Sequence, residues 1–561
     1  MDMMKRMVPL AALGLMSFGA WAGSMTIYTE WCDEIWCEDQ YVAMNTLKDK
    51  PEQLGDGPVT IRLDEDLALS ETFDFSWIDR DITLDLNGNA LMSDAGADWF
   101  ADELLNIELQ NGHSFTLQDG SVTGAKSKGA VRIAAGQRVT VKNVTFENNH
   151  CDGNLGDLWE GDVGGAIRCN GNLKLVGCTF RRNSCTTHGG AVGIYSNDYQ
   201  SRFVIENCTF ENNTAVEAGG ALFLGCSGRI QHTTITGNTV TGREDGSTEG
   251  QNETTAGQGG GVYLTRHGGV SYGDEGEGFW WGRFEGPTVM IEEGVVIDGN
   301  KASQKNGEAE RTNNLYLSRH ENSYNNAAVL VSGDTRSETR VGLTLSEAPD
   351  VFTRTLNEEG GEWLTDDYSA WFFCDTAAWM RAVYDADEGL IRLADCRLAP
   401  GDEPQMLKAA TAEEAATAAA ELFVPPQEVA DALDEASAVA YSKLFAPVVA
   451  PVEDRPGSWM VSYAPTEEGT NKLEQAVNDA PAQVLDSISA LAAGESAEVE
   501  MDVVPGFYYA VKYGTTPDVA CTTDGELAKG PKLKLDVPAV KGASAFYRIV
   551  VSEKKITARG E

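Results

Sequence analysis

The sequence is short of basic residues: 43 Lys and Arg stand against 86 Asp and Glu in 561 residues, a formal net charge of -43. No basic stripe interrupts that excess, so nucleic acid and anionic membrane surfaces are excluded as partners. Proline is scarce at 18 residues, which removes collagen-like and proline-rich readings. Histidine numbers 6 and no Cys-x-x-Cys pair occurs, so a structural zinc site is not expected. Beyond the N-terminus no apolar run approaches the roughly 18 residues needed to span a bilayer. No Ser-His-Asp or phosphate-loop pattern stands out along the chain.

The N-terminus reads as a secretory signal. Lys5 and Arg6 precede the apolar run Val8 to Ala20, and Ala20-Trp21-Ala22 is a small-x-small cleavage site. Residues 1–22 are therefore expected to be removed, leaving an exported chain that is extracellular, periplasmic or at the cell surface. No transmembrane segment is expected after cleavage. The 11 cysteines suit an oxidising compartment.

Glycine is abundant at 59 residues, and much of it is periodic. Gly164-Gly165-Ala166-Ile167, Gly189-Gly190-Ala191-Val192, Gly219-Gly220-Ala221-Leu222 and Gly259-Gly260-Gly261-Val262 open four segments. An apolar residue followed three places later by Asn interleaves with them, at Phe146/Asn149, Phe180/Asn183, Phe210/Asn213, Ile235/Asn238 and Ile297/Asn300. The spacing is too short for a propeller blade, and the segments are too β-branched and Gly-rich for paired helices. A parallel β-solenoid remains, each coil stacking about 4.8 Å above the last. Asn149, Asn183, Asn213, Asn238 and Asn300 are then a structural ladder, because Asn tolerates left-handed turns and its amide can bond the equivalent amide one coil on.

These alternating Phe-x-x-Asn and Gly-Gly-Ala-Ile/Leu/Val motifs resemble the repeats of the chlamydial polymorphic outer-membrane proteins, within the wider class of right-handed parallel β-helix proteins that includes pectate lyases. Leu84-Asp85-Leu86-Asn87-Gly88 is similar to the opening strand of many such helices. The resemblance implies an adhesin-like surface protein. It would also imply a C-terminal outer-membrane barrel, for which residues 346–561 are too few.

The expected fold is all-β dominant: a cap over 23–80, a right-handed parallel β-helix over 80–345, a mixed region with Ala-rich helices over 346–450, and a small β-rich module over 451–561. Helical patterns fall at Ala409 to Leu422, Val429 to Leu444 and Lys472 to Leu491. Terminal strands are read at Val499 to Val504, Phe507 to Tyr513, Lys532 to Val537 and Ala545 to Val551.

A solenoid has regular walls, so function is expected in its insertions. From Phe180 to Gly189 and from Phe210 to Gly219 takes 9 residues, but Phe146 to Gly164 takes 18 and Ile235 to Gly259 takes 24. Both long segments leave the same turn. A third insertion, after Gly260, carries Phe279, Trp280, Trp281 and Phe284, which either stack on sugar or fold back as a lid. Asp152, Asp157, Glu160 and Asp162 fill the first loop. Ca²⁺ at Asp152, Asp157 and Asp162 is conceivable, but the spacing matches no EF-hand and a solvated acidic loop is preferred; no other cofactor is expected. The reading is a non-catalytic binder of extracellular glycan or protein, with a polysaccharide lyase or glycoside hydrolase as the alternative.

Disulfide candidates are Cys151 with Cys185 and Cys178 with Cys208, which occupy equivalent positions on adjacent coils. The second pair could instead remain a buried thiol stack. Cys32 with Cys37 and Cys374 with Cys396 are proposed on proximity alone. Cys169, Cys226 and Cys521 have no argued partner.

Overall fold

The computed structural model describes residues 23–29, 34–49, 54–94, 103–153, 163–195, 201–243, 257–265, 287–303, 308–318, 327–345, 351–353 and 366–376, and most of 380–472 and 496–559. The chain divides into two compact units, Met1–Thr376 with Ala382–Leu393, and Ala377–Arg381 with Ala394–Glu561.

The first unit is a parallel β-helix. One column of strands runs through Val131–Ile133, Ile167–Cys169, Val192–Ile194, Leu222–Leu224, Val262–Leu264 and Leu315–Leu317, each paired in register with the next. A second column pairs Leu173 with Phe203, Phe203 with Gly228, and Gly228 with Val289. A third pairs Phe146 with Phe180, Phe180 with Phe210, and Phe210 with Ile235. The alternation that defined the repeat drives this stacking. Phe146, Phe180 and Phe210 are all fully buried, and their rings stack at centroid distances of 4.8 and 4.7 Å.

The paired glycines answer two separate demands. The first of each pair takes positive φ, 81° at Gly164 and 68° at Gly189. The second has no room for a side chain: a Cβ on Gly190 would lie 2.1 Å from the Gly220 carbonyl oxygen of the next coil.

Parallel pairing begins earlier than expected, where Val59–Leu63 meets Ile82–Asp85. These first coils alternate apolar and polar residues without the Phe-x-x-Asn motif, so the repeat signal was silent there. Met25–Thr29 pairs antiparallel with both Ile35–Cys37 and Val59–Leu63, closing the edge of the stack with reversed strands. At the other end Phe372–Cys374 pairs parallel with the strand containing Val341, beyond the expected limit of 345.

The asparagines form a continuous column. The side-chain amide of Asn149 donates to Asn183 Oδ1 at 3.0 Å, Asn183 to Asn213 at 3.0 Å, Asn213 to Asn238 at 2.9 Å and Asn238 to Asn300 at 2.9 Å. Each Oδ1 also accepts the backbone N–H of the preceding asparagine, and each Nδ2 also donates to a carbonyl of the preceding coil. The column continues past the expected five, from Asn300 to Asn314 at 3.0 Å and from Asn314 to Asp375 Oδ1 at 2.7 Å.

The cysteines correct an expectation: among the described residues they are thiols. Cys151 and Cys185 do lie in register, and they meet through a thiol hydrogen bond. Cys178 N–H donates to Cys208 Sγ at 3.4 Å, so this pair is a buried thiol stack. Side chains stacked in register on parallel strands stand about 4.8 Å apart with parallel Cβ directions, outside the 3.5–4.5 Å Cβ separation of a disulfide. Cys374 closes the last parallel strand of the first unit and shares a hydrogen with Thr376 Oγ1, while Cys396 belongs to the second unit; closeness in sequence did not join them. Burial pushes the Cys37 thiol up to about 11; Cys32 lies outside the described residues.

In the second unit, Ser458–Pro465 pairs antiparallel with both Gln405–Lys408 and Phe445–Pro451. The helix Ala412–Leu422 buries Ala415, Ala419 and Leu422, and Thr411 caps it by accepting the Glu414 N–H. Tyr508–Gly514 pairs with Phe546–Ser552, and Ala497–Asp502 with Lys532–Val537. Tyr508 and Tyr509 are buried in the core. The helical pattern at Lys472 to Leu491 falls almost entirely outside the described residues.

Candidate functional site

The four corners of the coil differ in how much their lengths vary. Between the second and third columns, Val176 to Thr179, Glu206 to Thr209 and Gln231 to Thr234 are each three residues, but the corner lengthens in the last coils, from four residues between Ile230 and Thr234 to five between Ile291 and Val296 and nine between Val331 and Arg340. The turn carrying the asparagines is constant: Arg181 to Ser184, Glu211 to Thr214 and Thr236 to Thr239 are each three residues. Entry into the first column varies. Cys185 to Val192 and Ala215 to Leu222 are seven residues, Cys151 to Ile167 sixteen and Val240 to Val262 twenty-two. Exit from it varies as well: Cys169 to Leu173 and Leu224 to Gly228 are four residues, Ile194 to Phe203 nine and Leu264 to Val289 twenty-five. The longest insertions, of sixteen, twenty-two and twenty-five residues, therefore border one strand column, from one end or the other.

The outward positions of that column change character along the axis. The register aligns Arg132, Arg168, Gly193, Phe223, Tyr263 and Tyr316. Phe223, Tyr263 and Tyr316 stack at 5.5 and 5.2 Å and form a buried cluster of their own, with Tyr195 packed against it. Val163, at the end of the first insertion, sits over Gly193, where a Cβ would come within 2.5 Å of its methyl group.

At the entry corner lies a buried ionic group. Glu217, 1% exposed, accepts from Arg243 Nε at 2.6 Å. The Glu217 carbonyl oxygen accepts the Gly257 N–H at 2.8 Å. Arg243 and Gly257 flank residues 244–256, so Glu217 fastens both ends of the second insertion. His188, 2% exposed, stacks on Phe223 at 4.7 Å with its Nε2 3.8 Å from Glu217, and its Nδ1 has no hydrogen-bond partner among the described residues. Burial, with the Arg243 charge second, pushes His188 down to about 4, so the ring is neutral at physiological pH. Burial raises the Glu217 carboxyl above its ordinary value, opposed by the guanidinium of Arg243. This group holds a loop; its charges are spent on each other.

Of the residues expected to bind ligand or Ca²⁺, only Asp152 is described. Its Oδ1 lies 2.8 Å from His150 Nε2. Asp157, Glu160, Asp162, Phe279, Trp280, Trp281 and Phe284 lie outside the described residues. Among the described residues no cluster of three or more His, Cys, Asp or Glu side chains is placed to hold a metal, and no helix is long and apolar enough to cross a membrane. The Glu217–Arg243 pair was not foreseen, because its members come from different coils and carry no motif.

Residues 105–272 match the family model described as the right-handed β-helix region. The match covers the coils carrying the repeat motifs from Phe146 to Val262 and agrees with the parallel stacking observed, so the solenoid is right-handed. No curated protein and no solved structure matched the chain.

Proposed function

We propose that this β-helix is an exported, adhesin-like binding protein whose insertion-bordered face engages an extracellular glycan or protein. One observation carries the reading: among the described coils the longest insertions, of sixteen, twenty-two and twenty-five residues, all enter or leave a single strand column, while the asparagine turn keeps one length. A wall that gathers its longest insertions on one face presents that face to a partner. The signal-like N-terminus and the polymorphic-protein-like repeats agree with an exported surface protein.

The alternative, polysaccharide cleavage on this face, draws on the raised carboxyl of Glu217 beside Arg243. That carboxylate is sealed from solvent and held by the guanidinium, so it does not meet a sugar ring as it stands.

The test is a binding screen of the intact protein against glycan and extracellular-protein arrays. It is repeated with residues 266–286, and separately 244–256, replaced by links as short as those of the neighbouring coils. Loss of binding with an unchanged melting temperature supports the reading. Unchanged binding by both shortened proteins refutes it. Reducing-sugar release from acidic polysaccharides would favour the alternative.

A further inference from the structure

His150 makes contacts that no other described histidine makes. Its Nδ1 lies 2.7 Å from Ser184 Oγ and its Nε2 lies 2.8 Å from Asp152 Oδ1. The register explains the first contact, since His150 and Ser184 are partners on adjacent parallel strands. Backbone hydrogen bonds between coils hold all three residues: His150 N–H donates to Ala125, Ser184 N–H to Asn149 and Asp152 N–H to Ser127. His150 and Ser184 are half-buried and Asp152 is exposed, so solvent reaches the group.

The other described histidines differ. His113 lies between two carboxylates, Asp79 at 3.0 Å and Asp81 at 3.4 Å, and the neighbouring Ser114 hydroxyl donates to Asp81 rather than to the ring. His232 faces Glu293 at 3.7 Å, and His188 is sealed in the core.

The chemistry follows from who can donate. An ionised carboxylate only accepts, so Asp152 holds the ring proton on Nε2. A neutral ring then presents its Nδ1 lone pair to Ser184, whose hydroxyl donates. A hydroxyl bonded to a base that is itself oriented by a carboxylate is the arrangement that activates a serine nucleophile. The two ring nitrogens are exchanged relative to the commoner arrangement, which leaves the proton inventory unchanged.

We propose that Ser184, His150 and Asp152 form an acyl-transfer site that hydrolyses carboxylic esters. The Ser184 hydroxyl proton passes to His150 Nδ1 as Oγ bonds to the acyl carbon. The carbon–oxygen bond to the alcohol then breaks, and that proton leaves with the alcohol, giving acyl-Ser184. Water attacks the acyl carbon, losing its proton to Nδ1; the Ser184 ester bond breaks, Oγ recovers the proton and the carboxylic acid departs. Thr214, the register partner of Ser184 on the following coil, brings a hydroxyl about 4.8 Å further along, the kind of donor a developing oxyanion requires. The excess of acidic residues selects neutral over anionic esters. Asp152 acts through His150 and is a positioning residue. The inference is independent of the binding reading, since ligand retention and ester turnover are separate measurements.

The test exposes the full chain to a fluorophosphonate probe and to p-nitrophenyl acetate. A single adduct at Ser184, located by peptide mass mapping, is expected in the wild-type protein. Ser184→Ala and His150→Gln should lose the adduct and at least about 10²-fold of the hydrolysis rate. Asp152→Asn should lower kcat with KM unchanged and move the acid limb of the pH–rate profile, while His113→Gln should retain full activity. Absence of an adduct on Ser184 in the folded wild-type protein overturns the proposal, whatever the variants do. So does hydrolysis that persists in Ser184→Ala.

Discussion

Asn314 Nδ2 donates to Asp375 Oδ1 at 2.7 Å while the Asn314 backbone N–H donates to Asp375 Oδ2 at 2.6 Å, so a carboxylate terminates the amide column. Every amide in that column has its oxygen toward the N-terminal coils and its nitrogen toward the C-terminal ones. The dipoles add, and the last one points its N–H groups at a group that only accepts. Thr344 Oγ1 donates to the same carboxylate at 2.9 Å. Asp375→Leu leaves three donors without acceptors. The expected loss is about 2–5 kcal/mol by urea denaturation, concentrated in the C-terminal coils by hydrogen exchange.

Within the column, Asn213→Ala strands the Asn183 amide and backbone N–H, both of which donate to Asn213 Oδ1. A cost of about 2–4 kcal/mol is expected. Asn213→Gln should fare no better, because the longer side chain cannot place its oxygen at the same height. Chemical denaturation of the two variants checks this.

His188 gives the protein an acid sensitivity that one substitution removes. Its folded value is pushed down from 6.5 to about 4. A group whose folded pKa is depressed contributes stability present above its unfolded value and lost as pH falls toward the folded value. The window is therefore pH 6.5 to 4, and the loss across it is about 3 kcal/mol. His188→Phe keeps a ring against Phe223 and should flatten the variant's stability–pH curve over that window, so that the wild-type and variant curves diverge from each other as pH falls. Parallel curves would show that His188 does not titrate there.

Arg243→Leu leaves the Glu217 carboxylate buried and uncompensated. A loss of about 3–5 kcal/mol is expected at neutral pH. With the guanidinium gone the raised carboxyl rises further, and stability held below its unfolded pKa is lost as pH increases. The deficit should therefore shrink on acidification. Adding Glu217→Gln should recover part of it, which a double-mutant cycle measures.

The stacked cysteines should remain thiols. Alkylation in denaturant without reductant, followed by mass mapping, should modify Cys151, Cys185, Cys178 and Cys208. A disulfide between Cys151 and Cys185 would require their coils to shift out of the observed register.

Much of the solenoid was legible because its register is written in local offsets. Phe146, Phe180, Phe210 and Ile235 mark one column, and three residues later the ladder follows; counting between them locates the insertions. What the motif does not reach was not legible. The first coils, from Val59, carry alternation without Phe-x-x-Asn. Asp375 is a ladder member with a different side chain, sixty-one residues after Asn314, and only the closing strand Phe372–Cys374 brings it under the column. His150 and Ser184 are thirty-four residues apart and each is unremarked in sequence, because facing across coils depends on register, which no linear pattern displays. The cysteines show the reverse failure: the alignment of Cys151 with Cys185 was readable, but equivalence in height does not supply the torsion a disulfide demands.

The constancy of the asparagine turn and the variability of the corners flanking the first column have a consequence for how such a protein can change over generations. Lengthening an entry segment from seven residues to twenty-two adds only about 1 kcal/mol of closure entropy, since that cost grows with the logarithm of length. A single residue inserted at an asparagine corner would instead displace an amide from its column and turn the following strand inside out. Mutation is thus steered toward one face, where a new loop can be tried and discarded at small thermodynamic cost while the stack beneath it stays in step.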